Sequence, residues 1–406
     1  MKNNYTNNYT NKNVYKKMNA YSNNRTSYTL HKMFRNLQYI ANDPAHRFTF
    51  EAYDIDLSIL NAFRRIILTD IPVIGFDGEE HASLEVIENT GPLHNEYILQ
   101  RFGCIPIHLN ESDIDTFESD DYIFELNIKN EDSVILNVTT HNFTVTYKDK
   151  ALSHKEIITL FPADPISKDP ILITRLRQGE HLHVKGKAVR RTAQDHGGFT
   201  PALATLRFMQ DSAIATQSYG VLDRERAYIK NEYGDPTVVI FEIDSFSSLT
   251  PRYLILKAIE ILMNKLHMVI QEIYNPESQK VKFTLQENNA GGEFLFTNED
   301  DTLGNFLQSL MHNHYIRNKK PAAHNRILSY VGYFCPHPLE KTMVLRITFD
   351  NDLDETNDSD EKSHNLIKDI EYMDVLKEHC VRSLAYLQDI QNAWLDQYKD
   401  NKDNKE

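Results

Sequence analysis

Two histidines separated by one residue are the first candidates for chemistry in this chain. His181 and His183 stand in HLHVKGKAV, whose alternation is typical of a β-strand, so both side chains should point to one face. An HxH pair can begin a metal site. Because no cysteine or second histidine pair accompanies it, a solvent-facing strand explains the pattern better, and we predict no metal.

An acidic run is a second candidate metal site. DNDLDETNDSDE, from Asp350 to Glu361, places acids at positions 1, 3, 5, 9 and 12 of a calcium-binding loop. Position 6 is Glu355, where such a loop needs glycine, and a strand rather than a helix precedes the run. We therefore interpret this segment as a solvated acidic linker.

The other reactive residues are sparse. DHGGF, from Asp195 to Phe199, is a candidate anion-binding loop, but two adjacent glycines are more typical of a turn. Cys104, Cys335 and Cys380 lie far apart and form no CxxC motif, which fits a reducing compartment. The sequence thus predicts no catalytic residue, no metal and no cofactor.

Composition narrows the class of protein. The chain has 406 residues, of which 25% are charged and 41% hydrophobic, as in ordinary globular proteins of two or three domains. Since no apolar run approaches the ~18 residues of a spanning helix and no signal peptide opens the chain, we expect an intracellular protein without membrane contact. A net charge of -14 argues against a dedicated nucleic-acid binder.

The charge is unevenly distributed along the chain. Residues 1–45 carry seven Lys and Arg against one acid, so this Asn- and Tyr-rich segment is basic while the remainder is strongly acidic. Its low-complexity composition favours disorder, and an arm that docks on an acidic partner or a phosphate backbone is the alternative. We expect ordered structure to start near Arg47.

One helix has features of both core and interface. Asp56 is a plausible N-cap and Pro72 ends the run, which predicts about fifteen helical residues. Ile59, Leu60, Phe63, Ile66 and Ile67 share one broad face that can be core. The opposite face combines two arginines with an aliphatic residue, a mixture found at interface centres, although a solvated helix surface is the alternative; it carries Asn61, Arg64, Arg65 and Leu68.

This helix and the segment after it resemble a known family. NAFRRIILTDIP followed by ENTGPLHNEYILQRFGCIPI is similar to the alpha-type assembly subunits of multisubunit RNA polymerases. These are the bacterial alpha amino-terminal domain, the third subunit of eukaryotic RNA polymerase II and its archaeal counterpart. Many such proteins also carry a cysteine cluster for zinc or iron and sulfur, but this chain has no Cys between 105 and 334, so we expect that site to be absent.

The rest of the chain contains a β-rich stretch and then further helices. Short alternating runs between 110 and 235 predict a β-rich subdomain. Thr250 and Pro251 open a long helix that Asn275-Pro276 stops. Asp301-Thr302 opens another, in which Gly304 costs up to ~1 kcal/mol relative to Ala and so indicates a neighbour that needs the space.

The C-terminal part resembles a second member of the same family. DDTLGNFLQSLM and VGYFCPHPLEKTMVLRI are similar to the eleventh subunit of RNA polymerase II and its archaeal counterpart, and a long apolar stripe from Leu366 to Trp394 completes the likeness. The fused order resembles the polymerases of large cytoplasmic DNA viruses. That likeness implies the host cytoplasm or the virion as the location, or otherwise the nucleus.

The two resemblances imply an α+β fold with two alpha-type dimerisation modules in tandem, each an antiparallel sheet with packed helices. They divide the chain into a tail at 1–45, a third-subunit-like module at 46–109 and 236–275, a β-rich insert at 110–235 and an eleventh-subunit-like module at 276–406. Only a few residues join the two modules, so we expect them to pair within one chain if those ends lie close together.

The resemblance also implies a non-catalytic platform for polymerase assembly. The second-largest, beta-like subunit would dock on Asn61, Arg64, Arg65 and Leu68, and further candidate contacts are Leu93, His94, Glu96 and Arg101. The largest subunit and small zinc-bearing subunits are further expected partners, with little direct nucleic-acid contact. Residues expected to pair the modules are apolar: Leu254, Ile259, Leu262, Leu266, Leu303, Phe306, Leu307, Leu310, Leu376, Leu384, Leu387 and Trp394.

Two alternatives belong to other classes of protein. A free-standing enzyme would use the HxH strand or the acidic run as its metal site. A scaffold unrelated to transcription would self-associate through the terminal helix as a coiled coil. Neither explains two motif blocks in matched order.

Overall fold

The computed structural model describes residues 33–40, 47–78, 83–164, 166–286, 291–337, 339–350 and 361–403. The fold is a mixed α+β arrangement with several antiparallel sheets. Its strands are β1 Phe34–Tyr39, β2 Phe48–Tyr53, β3 Val73–Gly75, β4 Leu84–Asn89, β5 Tyr122–Lys129, β6 Leu136–Thr139, β7 Thr144–Tyr147, β8 Lys150–Ala151, β9 Leu172–Leu176, β10 His181–Gly186, β11 Val189–Arg191, β12 Ala202–Phe208, β13 Val238–Ser245, β14 Val281–Leu285, β15 Gly292–Thr297, β16 Leu328–Phe334 and β17 Thr342–Phe349. Its α-helices are α1 Leu57–Thr69, α2 Asn95–Phe102, α3 Glu111–Ile114, α4 His154–Leu160, α5 Ser212–Gln217, α6 Val221–Glu225, α7 Pro251–Glu272, α8 Asp301–Met311 and α9 Glu361–Asp403.

The first lobe consists of a four-stranded antiparallel sheet with helices α1 and α7. Its strand order is β1-β2-β13-β12. In β2 every second side chain is buried, as the alternating sequence requires. Phe50 on β2 lies opposite Phe241 on β13, and their rings stack with centroids 5.0 Å apart. Helix α1 follows β2 directly and α7 follows β13, so both helices are fixed by strands of this sheet.

The second lobe repeats this topology. Its strand order is β14-β15-β17-β16, so in both sheets the first strand in the chain pairs with the second, the second with the fourth and the fourth with the third. Helix α8 follows the second strand, as α1 does, and α9 comes after the fourth, as α7 does. The two lobes therefore share one arrangement of strands and helices.

A third sheet lies between the parts of the first lobe. It has the order β4-β10-β5-β7-β8, and β6-β9 and β3-β11 form two-stranded ribbons. The β-rich character expected for 110–235 is present, but its boundaries differ at both ends. Strand β4 precedes the expected start and belongs to this sheet, whereas β12 lies inside the expected range and pairs with β13 of the first lobe. Motif spacing did not reveal these pairings because they join residues far apart in the chain.

The predicted start of ordered structure near Arg47 was wrong for the described residues 33–40. Strand β1 pairs with β2, and Phe34 is buried against Trp394 of α9, with ring centroids 5.1 Å apart. A distant helix thus provides the apolar surface that this basic, Asn-rich stretch cannot bury by itself. The rest of the predicted tail lies outside the described residues.

The two lobes pack on each other within the chain. Helix α7 of the first lobe contacts α9 of the second, and α1 contacts α8. Trp394 of α9 is fully buried, lies edge-on to Phe50 at 4.8 Å and donates from Nε1 to the carbonyl of Arg252 at 3.4 Å. A π-helical turn, His312–Arg317, continues α8 beside this junction.

Helix α8 begins at Asp301, as the Asp301-Thr302 start predicted. Asp300 is its N-cap, and the carboxylate of Asp300 accepts a 2.8 Å hydrogen bond from the Thr302 amide. The crowding inferred at Gly304 is confirmed, since a Cβ there would lie 2.4 Å from the ring of Tyr333. The small residue therefore lets β16 approach α8 closely.

Candidate functional site

Helix α1 is the element on which the candidate surface is built. Asp56 caps it as predicted, accepting a 2.9 Å hydrogen bond from the Ser58 amide. The helix ends at Thr69, before Pro72. The five apolar residues expected to face the core are all buried: Ile59, Leu60, Phe63, Ile66 and Ile67. The opposite face is only half-buried, so the core fixes the helix and leaves this face to other contacts.

Arg64 and Asn61 face a cleft beside α1. The cleft has a volume of about 610 Å³ and is completed by β12, including Arg207 and Phe208, and by Asn305 of the second lobe. Arg64 donates from Nε to Oδ1 of Asn61 at 2.9 Å. Burial lowers the pKa of Arg64, and the neighbouring charge of Arg65 lowers it further. Arg207 is paired with Glu242 at 2.9 Å, so Arg64 is the basic group that the cleft presents between mostly apolar walls, which suits an acidic or polar side chain of a partner.

Arg65 makes contacts within the chain that the sequence did not predict. Its Nε donates to Oγ1 of Thr302 at 2.8 Å, and an Nη donates to Asp300 at 2.8 Å. Both acceptors belong to α8 or its N-cap, in the second lobe. Within this structure Arg65 therefore joins the two lobes, whereas Arg64 is the arginine that faces the cleft.

A reciprocal contact runs from the second lobe to the first. Ser309 of α8 donates to Oδ1 of Asp56 at 3.1 Å, and Asn313 donates to Oδ2 at 2.7 Å. Arg65 and Ser309 each lie nine residues after the N-cap of their own helix and each bonds to the N-cap of the other. The contact between α1 and α8 is consequently pseudo-symmetric, as in an isologous dimer interface.

A buried ion pair lies in the same junction. Lys265 of α7 lies 2.8 Å from Glu299, the residue before the N-cap of α8, and 3.6 Å from Asp70 of its own lobe. Burial opposes the charge of Lys265, but the carboxylates of Glu299, Asp70 and Asp300 together outweigh that effect and raise the pKa of the ammonium group. Burial also raises the pKa of the Glu299 carboxyl group, although the ammonium group of Lys265 acts against it. Sequence reasoning missed this pair, together with the inter-lobe role of Asp56 and Asp300, because the partners are remote in sequence.

The second group of expected contacts lies on another part of the molecule. Leu93 is half-buried and His94 and Glu96 are exposed, at the start of α2. Arg101, near the end of α2, donates to the carbonyl of Leu172 on β9 at 3.1 Å. Helix α2 contacts β4 and β9, so these residues are positioned by the third sheet and the β6-β9 ribbon.

The residues expected to pair the modules lie in the interior. Leu310 is half-buried, and all the others in the set are fully buried: Leu254, Ile259, Leu262, Leu266, Leu303, Phe306, Leu307, Leu376, Leu384, Leu387 and Trp394.

The histidines of the HxH strand are engaged by neighbouring polar residues. His181 contacts Asn127 at 2.8 Å and Glu88 at 3.0 Å, and His183 contacts Glu125 at 2.8 Å. In the described part of the chain, no group of three or more His, Cys, Asp and Glu could hold a metal ion. The DHGGF segment forms a short 3-10 turn at Gly197–Phe199 with Phe199 buried. Most of the acidic run, 351–360, lies outside the described residues.

No helix in the described ranges combines the length and apolar character needed to span a bilayer.

A repeated sheet-and-helix lobe, with helices paired across a pseudo-symmetric junction, defines a dimerisation-type module. The chain matches the RNA polymerase Rpb3/Rpb11 dimerisation domain over residues 49–266, more than half of its length, and so belongs to this family. The matched range contains most of the first lobe, and the second lobe lies beyond it.

Individual relatives agree with this assignment. The chain is 26% identical over 290 residues to DNA-directed RNA polymerases I and III subunit RPAC1 of Homo sapiens, covering 55% of this chain and 80% of the relative. It is 27% identical over 183 residues to DNA-directed RNA polymerases II, IV and V subunit 3 of Arabidopsis thaliana, covering 41% and 54%. It is 22% identical over 276 residues to DNA-directed RNA polymerase II subunit RPB3 of Schizosaccharomyces pombe, covering 59% and 87%.

Proposed function

We propose that this protein is a non-catalytic assembly subunit of a DNA-dependent RNA polymerase. The family match and the relatives, which are polymerase subunits by name, support this role. We further propose that its two lobes are alpha-type modules in tandem, similar to the third and eleventh polymerase subunits and joined in one chain. The repeated strand order and the contact of α1 with α8 support that interpretation.

We propose that the second-largest, beta-like subunit docks at the cleft beside α1. The observation that carries this proposal is the burial of Arg64 without a carboxylate partner. It is half-buried in a mostly apolar cleft, and no carboxylate in the described ranges pairs with it. A carboxylate or carbonyl from a partner would complete its hydrogen bonds, and such charge-assisted bonds are among the stronger ones.

The adjoining partner surface is proposed to include α2. His94 and Glu96 are exposed there, and Leu93 is partly accessible, so a second contact could form without rearranging the fold. Arg65 and Leu68 belong to the same helix as Arg64, and we assign Arg65 to holding α8 in place behind the docking cleft. The largest subunit would hold the nucleotide chemistry, and small zinc-bearing subunits would complete the complex.

The cellular compartment in which the protein acts is proposed from the resemblance of the fused order. If the fused order marks a viral enzyme, this subunit would act in the host cytoplasm and enter the virion, and otherwise it would act in the nucleus. Imaging of the tagged protein during transcription distinguishes the two compartments.

The docking proposal is tested by affinity purification of the tagged chain from its native source. Arg64→Glu should remove the second-largest subunit from the recovered complex, because it reverses the charge of the cleft. Lys282→Glu, on the exposed edge strand β14, is the matched control with the same change of charge and should leave recovery intact. Circular dichroism and the thermal midpoint show that both variants fold.

Full recovery of the second-largest subunit with Arg64→Glu would contradict the docking site. Recovery of no polymerase subunit with the unmodified chain would contradict the assembly role itself.

A further inference from the structure

The junction between the lobes contains one buried charge pair whose two members come from different lobes. The side chain of Lys265, from the first lobe, is 19% exposed, and that of Glu299, from the second, is 6% exposed. Asp70 lies farther from the ammonium group and accepts hydrogen bonds from Thr69 and Gln194. Glu299 is thus the close partner of Lys265.

The repeated topology shows what stands in the position of Glu299 in the first lobe. Glu299 immediately precedes Asp300, the N-cap of α8, and the residue that precedes Asp56, the N-cap of α1, is Ile55. Ile55 is 4% exposed. The equivalent buried position is therefore acidic in one lobe and aliphatic in the other.

This difference matters for the choice of pairing partner. If two first lobes paired through the same surface, Lys265 would face Ile55 and would keep only the more distant carboxylate of Asp70, 3.6 Å away in its own lobe. If two second lobes paired, Glu299 would be buried without any Lys265. Breaking a buried ion pair by removing one partner is strongly destabilising, whereas replacing both partners by apolar groups is often neutral.

We propose that the Lys265–Glu299 pair makes the lobes pair as unlike halves, by penalising the association of two first lobes or of two second lobes. Discrimination of this kind needs a cost for the wrong partner as well as a gain for the right one. The inference rests on the repeated topology and does not require the polymerase role.

The test starts from the folded full chain and then cuts the covalent connection between its two lobes, so that each lobe can pair with a lobe of either kind. A site-specific protease sequence is inserted between Pro276 and Glu277, both exposed, and is cleaved after folding. The nicked protein is brought to its unfolding midpoint in urea and returned to buffer, so that halves can exchange. Native mass spectrometry separates like from unlike pairs, because the two pieces differ in mass.

The nicked wild-type protein should give unlike pairs. In Lys265→Met/Glu299→Met the ratio of like to unlike pairs should rise by about tenfold or more, since the charge penalty is gone. Lys265→Arg keeps the charge pair and should behave as the wild type does. Lys187→Gln/Asp120→Asn removes an exposed pair elsewhere and should also leave the ratio unchanged.

Two results would overturn the proposal. One is abundant like pairs in the nicked wild-type protein. The other is an unchanged ratio in the double methionine variant, which would leave the buried pair with a purely local role.

Discussion

Arg65 donates a 2.8 Å hydrogen bond to Asp300, so a residue in the middle of α1 supports the N-terminus of α8 in the other lobe. The carboxylate is also the N-cap of α8, where a negative charge is favourable. One guanidinium therefore orders a helix end and joins two lobes.

Replacing Arg65 should destabilise the fold more than replacing its neighbour. Arg65→Met removes the bonds to Thr302 and Asp300, and we expect it to lower the free energy of unfolding by about 1–3 kcal/mol. Arg64→Met removes only a bond to Asn61 and should cost less than about 0.5 kcal/mol. Urea denaturation followed by circular dichroism measures both, and equal costs would contradict the assignment of Arg65 to the junction.

The N-cap of α1, Asp56, should contribute more to the free energy of unfolding than an ordinary helix cap does. Asp56 accepts bonds from Ser58 in its own helix and from Ser309 and Asn313 in the other lobe. Asp56→Ala should therefore exceed the usual cap cost of about 1 kcal/mol by at least another kcal/mol. Ser153→Ala, in the exposed capping box of α4, is the control with only the local cost. Similar losses in the two variants would count against the inter-lobe bonds.

Gly304 should resist substitution although it lies in a helix. Gly304→Ala gains up to about 1 kcal/mol of helix propensity, but its Cβ would lie 2.4 Å from the ring of Tyr333 and force a shift. We expect a net loss of about 1–3 kcal/mol in the free energy of unfolding. Gly197→Ala, where a Cβ meets nothing within 4 Å, should be nearly neutral. A stabilised Gly304→Ala variant would show that α8 and β16 are farther apart.

Acid should weaken the packing of α9 through a buried histidine. Burial lowers the pKa of His379 to about 3, and the charges of His314 and Arg382 act in the same direction. Because this pKa is below the unfolded value near 6.5, the unfolded state binds the proton first as pH falls. The contribution of His379 to the free energy of unfolding is fully present above about pH 6.5. Below that pH it falls by up to ~1.4 kcal/mol per pH unit, until about pH 3.

The pH dependence is measured by urea unfolding between pH 7.5 and pH 5, a range set around the reference histidine pKa of about 6.5. In His379→Gln the loss across this range should be smaller than in the wild type, even if the variant is less stable at neutral pH. His94→Gln, at an exposed position, is the control and should retain the wild-type slope. An unchanged slope in His379→Gln would contradict a neutral buried imidazole.

Features set by neighbouring residues were predictable, and features set by distant ones were not. The cap and end of α1 follow from Asp56 and Pro72, which act within a few residues. Strand β1 was not predicted, because Phe34 is buried by Trp394, a residue near the other end of the chain. The half-buried polar face of α1 was predictable from its composition, but only the position of Asp300, 235 residues away, shows that Arg65 turns towards the second lobe.

The exposed connection between α7 and β14 also determines the ratio of the two lobes and the kinetics of their association. Because it ties one lobe of each kind into a single polypeptide, the lobes are made in equal numbers and find each other by a first-order step. Dilution does not slow that step, and no unmatched lobe accumulates with its apolar surface open to aggregation.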